Sequence, residues 1–213
     1  RVAVCGMGQA PLEPEARAAR PVLAHKPSAR NPEQACTLPV TWSTTHAAIE
    51  RSGLRARRFA VVQAAAGGVG LKAVEYAHWL AAACLGTAGR PYKHGLLRAT
   101  GVGGLCSSRD GAVFAAGTAR LLSAGRSHMV LNSLSLDFLA ASFASLCEVG
   151  SFEEIGKRSI WASPRHPAAA LTTAYCPIAL AVAMGHAPAW MPGVLPVVAP
   201  PAHARACRGR TGR

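Results

Sequence analysis

The apolar positions of this chain change period several times, and each change marks an element. Phe59-Ala60-Val61-Val62-Gln63-Ala64 is a short apolar run that gives way to glycine, which suits a buried strand. Gly67-Gly68-Val69-Gly70 is a turn. From Leu71 to Ala83 apolar residues recur at helical spacing, at Leu71, Val74, Ala77 and Leu80. The same alternation continues with a strand at Cys84–Thr87, a helix at Tyr92–Thr100 and a strand at Leu105–Cys106. It closes with a helix at Val113–Leu122, a strand at Met129–Asn132, a helix at Phe138–Leu146 and a strand at Phe152–Ile155. Alternation of this kind predicts a parallel sheet with helices on both faces.

The flanks lack that rhythm. Residues 1 to 38 are rich in Pro and Ala and predict short strands and loops. Trp42–Leu54 predicts a helix with Ala47, Ala48 and Ile49 on its apolar face, and Arg51–Arg58 a surface connection. Beyond 160, breakers gather at Ala162–Pro167 and again at Pro196, Pro200 and Pro201. Between His166 and His186 there is no charged residue. Its Thr172, Thr173, Tyr175, Pro177 and many alanines do not suit a span, which needs about 20 predominantly apolar residues. A buried segment broken at Pro177 is expected there, with no membrane span.

Composition changes this picture little. Half of the 213 residues are hydrophobic and 15% are charged, which excludes a disordered chain. The formal charge of +13 comes from 19 Arg and 4 Lys against 10 acids. Such a charge invites a nucleic-acid partner. However, few aromatics interleave with the arginines, so a stacking platform for bases is missing and no nucleic acid is expected. Arg205, Arg208, Arg210 and Arg213 sit in an end expected to be disordered. Seven cysteines without a C-x-x-C pair suggest neither a disulfide framework nor structural zinc, and fit a reducing, cytoplasmic setting. His46, His78, His94 and His128 show no ligand spacing, so no metal is expected. Glu153 and Glu154 are adjacent in a strand and point to opposite faces, so they cannot act as a pair.

Strand, glycine turn and helix are the order a dinucleotide site needs. The glycines let the backbone approach a pyrophosphate, and the helix N-terminus offers free N–H groups. In Ala64-Ala65-Ala66-Gly67-Gly68-Val69-Gly70, Ala65, Gly67 and Gly70 take the three glycine positions of G-x-G-x-x-G. A site for NAD usually carries an acid about 20 residues on. Here that stretch reads Thr87-Ala88-Gly89-Arg90, with Lys93 following, so the cations favour the extra phosphate of NADP. A tight turn without a ligand and a solvated cationic loop are the plain alternatives.

The glycine turn is followed in order by Gly86-Thr87-Ala88-Gly89, Ser108-Arg109-Asp110, Val130-Leu131-Asn132-Ser133-Leu134 and Glu154-Ile155-Gly156-Lys157. Together these resemble the enoyl reductase domain of type I polyketide synthases and animal-type fatty acid synthases. That domain belongs to the zinc-independent medium-chain dehydrogenase/reductase superfamily. Leu38-Pro39-Val40-Thr41-Trp42-Ser43-Thr44 is similar to the family segment preceding the nucleotide domain. The resemblance runs from about residue 1 to about 200. It implies a Rossmann-type doubly wound parallel sheet plus an incomplete β-rich, GroES-like substrate domain. The expected divisions are 1–55, a partial substrate domain and linking helix; 56–160, the NADPH-binding domain; 161–200, a return toward the substrate domain; and 201–213, the basic tail. The family's substrate lobe begins before a position like Arg1, so a partial reductase is expected, without the tyrosine that some members use to steer protonation.

The resemblance also implies roles. NADPH would deliver hydride to the β-carbon of a trans-2-enoyl chain held as a thioester on acyl carrier protein, beside neighbouring megasynthase domains. Gly67, Gly68, Val69 and Gly70 would cradle the pyrophosphate, with Thr87, Arg90, Lys93 and Arg109 at the adenosine end. Thr44, Asn132, Ser133 and Leu134 would border the nicotinamide, with Gly156 and Lys157 of the cofactor site at the next strand end. Lys93 and Asp110 would be the catalytic candidates. Each has a plainer role open to it: Asp110 as a helix cap, Lys157 as surface charge, Asn132 as the close of a turn. A stand-alone quinone oxidoreductase-like enzyme and a non-catalytic nucleotide-binding module are the competing functions.

Overall fold

A computed structural model describes residues 3–8, 16–123, 125–134, 136–157, 172–186 and 194. The Arg-rich end and the breaker cluster at Ala162–Pro167 lie outside the described residues. The described residues form two compact units, one running from Thr44 to Ala179, the other comprising those up to Ser43 and from Leu180 on.

The larger unit carries the sheet. Its strands are β3 (Phe59–Val62), β4 (Ala83–Ala88), β5 (Gly104–Ser107), β6 (Ser127–Asn132), β7 (Leu146–Glu154) and β8 (Ala174–Pro177). They lie in the order β5-β4-β3-β6-β7-β8, and every neighbouring pair is parallel. The order reverses between β3 and β6, which is the switch point of a doubly wound sheet. The connecting helices are α3 (Gly68–Trp79), α4 (Pro91–Ala99), α5 (Gly111–Leu122) and α6 (Leu139–Ser145). Helix α6 follows a 3-10 turn at Leu136–Phe138.

Strand alternation explains the two covered faces. Val61, Leu85, Cys106, Val130 and Phe152 point one way and pack with Phe114 of α5 and Phe143 of α6 in one buried core. Phe143 and Phe152 stack with centroids 4.2 Å apart. Met129, one position from Val130, points the other way, and its sulfur meets the Ser52 hydroxyl of α2 (Leu38–Ser52). The helix expected from Trp42 thus starts at Leu38. Its carboxyl half belongs to the larger unit, whereas the expected division fell after residue 55. The reason is packing: the Thr45 hydroxyl donates to the Val69 carbonyl, and His46 Nδ1 lies 2.9 Å from the Tyr76 hydroxyl.

The smaller unit holds β1 (Val4–Gly6) paired antiparallel with β2 (Leu23–His25) and the short helix α1 (Pro32–Cys36). Asn31 and Gln34 form a reciprocal capping box at the start of α1. It also holds α7 (Leu180–His186), which contains no buried residue.

One expectation changes. The charge-free stretch before His186 is not a buried segment in its described part. Ala174–Pro177 is the half-exposed strand β8, at the edge of the sheet with β7 as its one pairing neighbour among the described residues. Pro177 does end the strand, and it suits an edge because it cannot donate to a ladder. Among the described residues no helix is long and apolar enough to cross a membrane.

Candidate functional site

The parallel register brings the carboxyl ends of five strands to one edge, since Val62 pairs with Gly86 and Leu131, Ala88 with Ser107, and Asn132 with Glu154. The residues singled out in the sequence follow these ends: Gly67–Gly70 after β3, Arg90 and Lys93 after β4, Arg109 and Asp110 after β5, Asn132–Leu134 at the end of β6, Gly156 and Lys157 after β7. In open α/β sheets ligands bind at this edge, beside the switch point.

The turn after β3 is tightly built. Ala64 takes a positive φ of 46°, uncommon for a residue with a side chain. Thr87 holds it there: its hydroxyl oxygen accepts from Ala64 N–H and its carbonyl from Ala65 N–H, both at 2.9 Å. Thr87 is completely buried, with both of its oxygens engaged by the turn. Gly67 caps α3 without any side-chain hydrogen bond, which leaves the first turn open to an anion. Gly70 is where glycine is obligatory. A methyl group there would lie 2.5 Å from the Ala64 carbonyl oxygen and 2.6 Å from the Ala65 Cα, both backbone atoms. Gly67 and Gly68 are exposed at the mouth of the turn. The cradle fits a pyrophosphate. Thr44 is nearly buried in α2, next to the Thr45 that bonds the Val69 carbonyl.

Cations gather at the ends of β4 and β5. Arg90 is the exposed cap residue of α4, and Lys93 sits half-buried in that helix's first turn. The Arg109 side chain lies across Gly89, since a methyl on Gly89 would fall 2.5 Å from Arg109 Nε. Ser107 supports this by accepting from Arg109 N–H at 3.1 Å. His94, absent from the expected site, lies with Nε2 2.8 Å from the Ala88 carbonyl and ties α4 to the end of β4.

Asp110 serves as a helix cap through one of its two carboxylate oxygens. It is the N-cap of α5, and its Oδ1 accepts from Val113 N–H at 2.9 Å. Asp110→Ala should therefore cost about 1 kcal/mol of stability, while Asp110→Asn keeps most of it. Denaturant unfolding of the two variants checks this.

A buried polar network spans β3, β6 and β7. Asn132 is completely buried, and its Nδ2 donates to Glu154 Oε2 at 2.6 Å and to the Leu134 carbonyl at 2.9 Å. Among the described residues, Asn132 Oδ1 and Ser133 Oγ have no partner. Glu154 Oε1 accepts from Gly156 N–H at 2.6 Å. Gln63 Oε1 accepts from Ser133 N–H at 3.2 Å and Leu134 N–H at 3.1 Å. Lys157 is exposed beyond this network. Glu153 faces the other side, as strand geometry requires, where the Ser151 hydroxyl donates to it.

Burial pushes Glu154 up to about 7, against the pull of Gly156 N–H and Asn132. Burial likewise pushes Glu153 up to about 7, against the Ser151 hydroxyl, Arg51 and Cys176. The ordinary value is 4.5, so between roughly pH 4.5 and 7 the folded chain holds protons that the unfolded chain has lost. Stability from these groups is full below pH 4.5 and is lost as pH rises through 7. The loss is of order 3 kcal/mol per group. Melting temperature should thus be higher at pH 5.5 than at pH 8, and Glu153→Gln should reduce that difference; pH-resolved thermal melts measure it.

No protein-family model matches the chain. It is 39% identical over 160 residues to the spectinabilin polyketide synthase system protein NorB of Streptomyces orinoci, covering 74% of this chain and 7% of that protein. The chain thus spans a small part of that relative's length. Its fold is similar to the CurK enoyl reductase, with a TM-score of 0.76 and 27% identity, covering 91% of this chain and 57% of that one. It is also similar to the nucleotide-binding subdomain of the enoylreductase domain of PpsC from Mycobacterium tuberculosis. There the TM-score is 0.67 and the identity 25%, over 79% of this chain and 94% of that one. With the ordered motif set, the parallel sheet and these likenesses together, the chain belongs to the enoyl reductase domains of polyketide synthases, within the medium-chain dehydrogenase/reductase superfamily.

Proposed function

We propose that this chain binds NADPH and serves as the reductase that saturates a trans-2-enoyl thioester carried on acyl carrier protein, beside other domains of a megasynthase. The observation that carries the cofactor choice is the corner formed by Arg90, Lys93 and Arg109, where the Arg109 side chain lies on Gly89. Three cations at the ends of β4 and β5, where an NAD site carries an acid, suit a 2′-phosphate. Bound NADPH supplies the hydride.

The chain's own residues bind and orient. Gly67, Gly68, Val69 and Gly70 admit the pyrophosphate to the N-terminus of α3. Asn132, Ser133, Leu134, Gly156 and Lys157, with Thr44, border the nicotinamide end. Positioning the alkene against the nicotinamide and stabilising enolate charge on the thioester oxygen are the two physical tasks left to the protein.

The test is oxidation of NADPH dependent on a crotonyl thioester. Turnover with the thioester supports the reading. A quinone reduced faster than the thioester favours the quinone oxidoreductase-like alternative. Tight NADPH binding without turnover of either marks a nucleotide-binding module instead.

A further inference from the structure

At the switch point, Gln63 follows the last residue of β3 and is 1% exposed. A buried primary amide must satisfy both its oxygen and its nitrogen. Gln63 Oε1 takes two backbone N–H groups, those of Ser133 and Leu134, just past the end of β6. Its Nε2 donates to the Ser142 hydroxyl of α6 at 2.7 Å, and Ser142 is completely buried. From the other side, Glu154 accepts from Asn132 Nδ2, which also donates to the Leu134 carbonyl. The exit turn of β6 is thereby gripped at its N–H groups by Gln63, and at Asn132 and Leu134 through Glu154.

We infer that Gln63 is a positioning residue that fixes the Asn132–Leu134 turn for the nicotinamide end of the cofactor, with Ser142 anchoring it. This rests on the proposed NADPH reading. It goes further in assigning a task to a side chain that none of the expected site residues supplied. Gln63 does not touch the cofactor in this account. Its two acceptor bonds leave the Ser133 and Leu134 N–H groups spoken for, so that what the turn offers a ligand is set by its fixed shape. Leaving buried N–H groups unpaired is costly, so the turn rearranges when the amide is lost.

The experiment compares affinities of the whole chain for NADPH and for 2′,5′-ADP, which carries the adenosine phosphates but no nicotinamide. Gln63→Met keeps size and removes all three bonds. It should weaken NADPH binding about 10-fold and leave 2′,5′-ADP binding within about 2-fold, a split worth roughly one tenfold step in affinity. Ser142→Ala removes only the anchor and should show the same split at about 3-fold, in a protein that keeps its fold. Equal weakening of both ligands by Ser142→Ala, or no change in either, would overturn the inference. If the unaltered chain binds 2′,5′-ADP but not NADPH, the inference fails while the phosphate corner stands. If it binds neither, the NADPH reading itself fails.

Discussion

Alanine at Gly70 should weaken NADPH binding by about 100-fold in a chain that still folds. The new methyl group would meet the Ala64 carbonyl oxygen at 2.5 Å and the Ala65 Cα at 2.6 Å. Neither atom is the end of a side chain that could swing away. Ala64 is already in the left-handed region and is held by Thr87, so the turn has little freedom to yield. Overpacking of this kind costs about 1–3 kcal/mol. The shift must move α3 away from β3, and the helix N-terminus is the part that faces the pyrophosphate. The upper end of that cost corresponds to about 100-fold in affinity. Circular dichroism confirms the fold, and fluorescence titration reads the loss. Gly67→Ala should do less to the fold, because its methyl group would meet only the Ala64 carbonyl oxygen, at 3.2 Å.

The second large effect concerns the cations. Arg90→Ala combined with Arg109→Ala should cost NADPH about 30-fold in affinity while leaving NADH within about 2-fold. Charge-assisted hydrogen bonds contribute about 1.5–3 kcal/mol where they are made, and only the 2′-phosphate differs between the two cofactors. The NADPH affinity that remains should also become less sensitive to salt, since fewer charges face the ligand. Titrations of both cofactors at two ionic strengths separate this from a general loss of the site. Equal losses for NADPH and NADH would assign the arginines to shaping the end of β4 instead.

The alternation from Phe59 to Ile155 was legible because short apolar runs such as Phe59–Val62 and Met129–Leu131 alternate with segments such as Leu71–Leu80 that repeat at helical spacing. The glycine turn was legible for the same reason that Gly70 cannot be replaced: local geometry is written in local residues. What escaped was non-local. Strand β8 reads locally as an apolar stretch broken at Pro177, and only its pairing with β7, its one neighbour among the described residues, makes it an edge strand. The start of α2 at Leu38 was hidden by Pro39, which is tolerated in a first helical turn.

The site shows the same division. Its backbone parts could be placed from order and spacing, yet the partners of its polar side chains could not. Asp110 caps α5 through an N–H three positions on, a bond that any N-cap sequence permits and none guarantees. Thr87 is expected at the adenosine end because it carries a hydroxyl where an NAD site has an acid. Only the β3–β4 pairing shows that this hydroxyl serves Ala64. Gln63 could have been noticed as the one polar residue in the run Phe59–Ala64, but its partners lie some seventy positions away.

The choice of cofactor is central to what this chain does. Equilibrium fluorescence titration of the unaltered chain with NADPH and with NADH, in the same buffer, tests it most directly. NADPH should bind at least about 10-fold more tightly, the step expected for one phosphate held by charged donors. Equal affinities, or tighter binding of NADH, would contradict the assignment of Arg90, Lys93 and Arg109 to a 2′-phosphate.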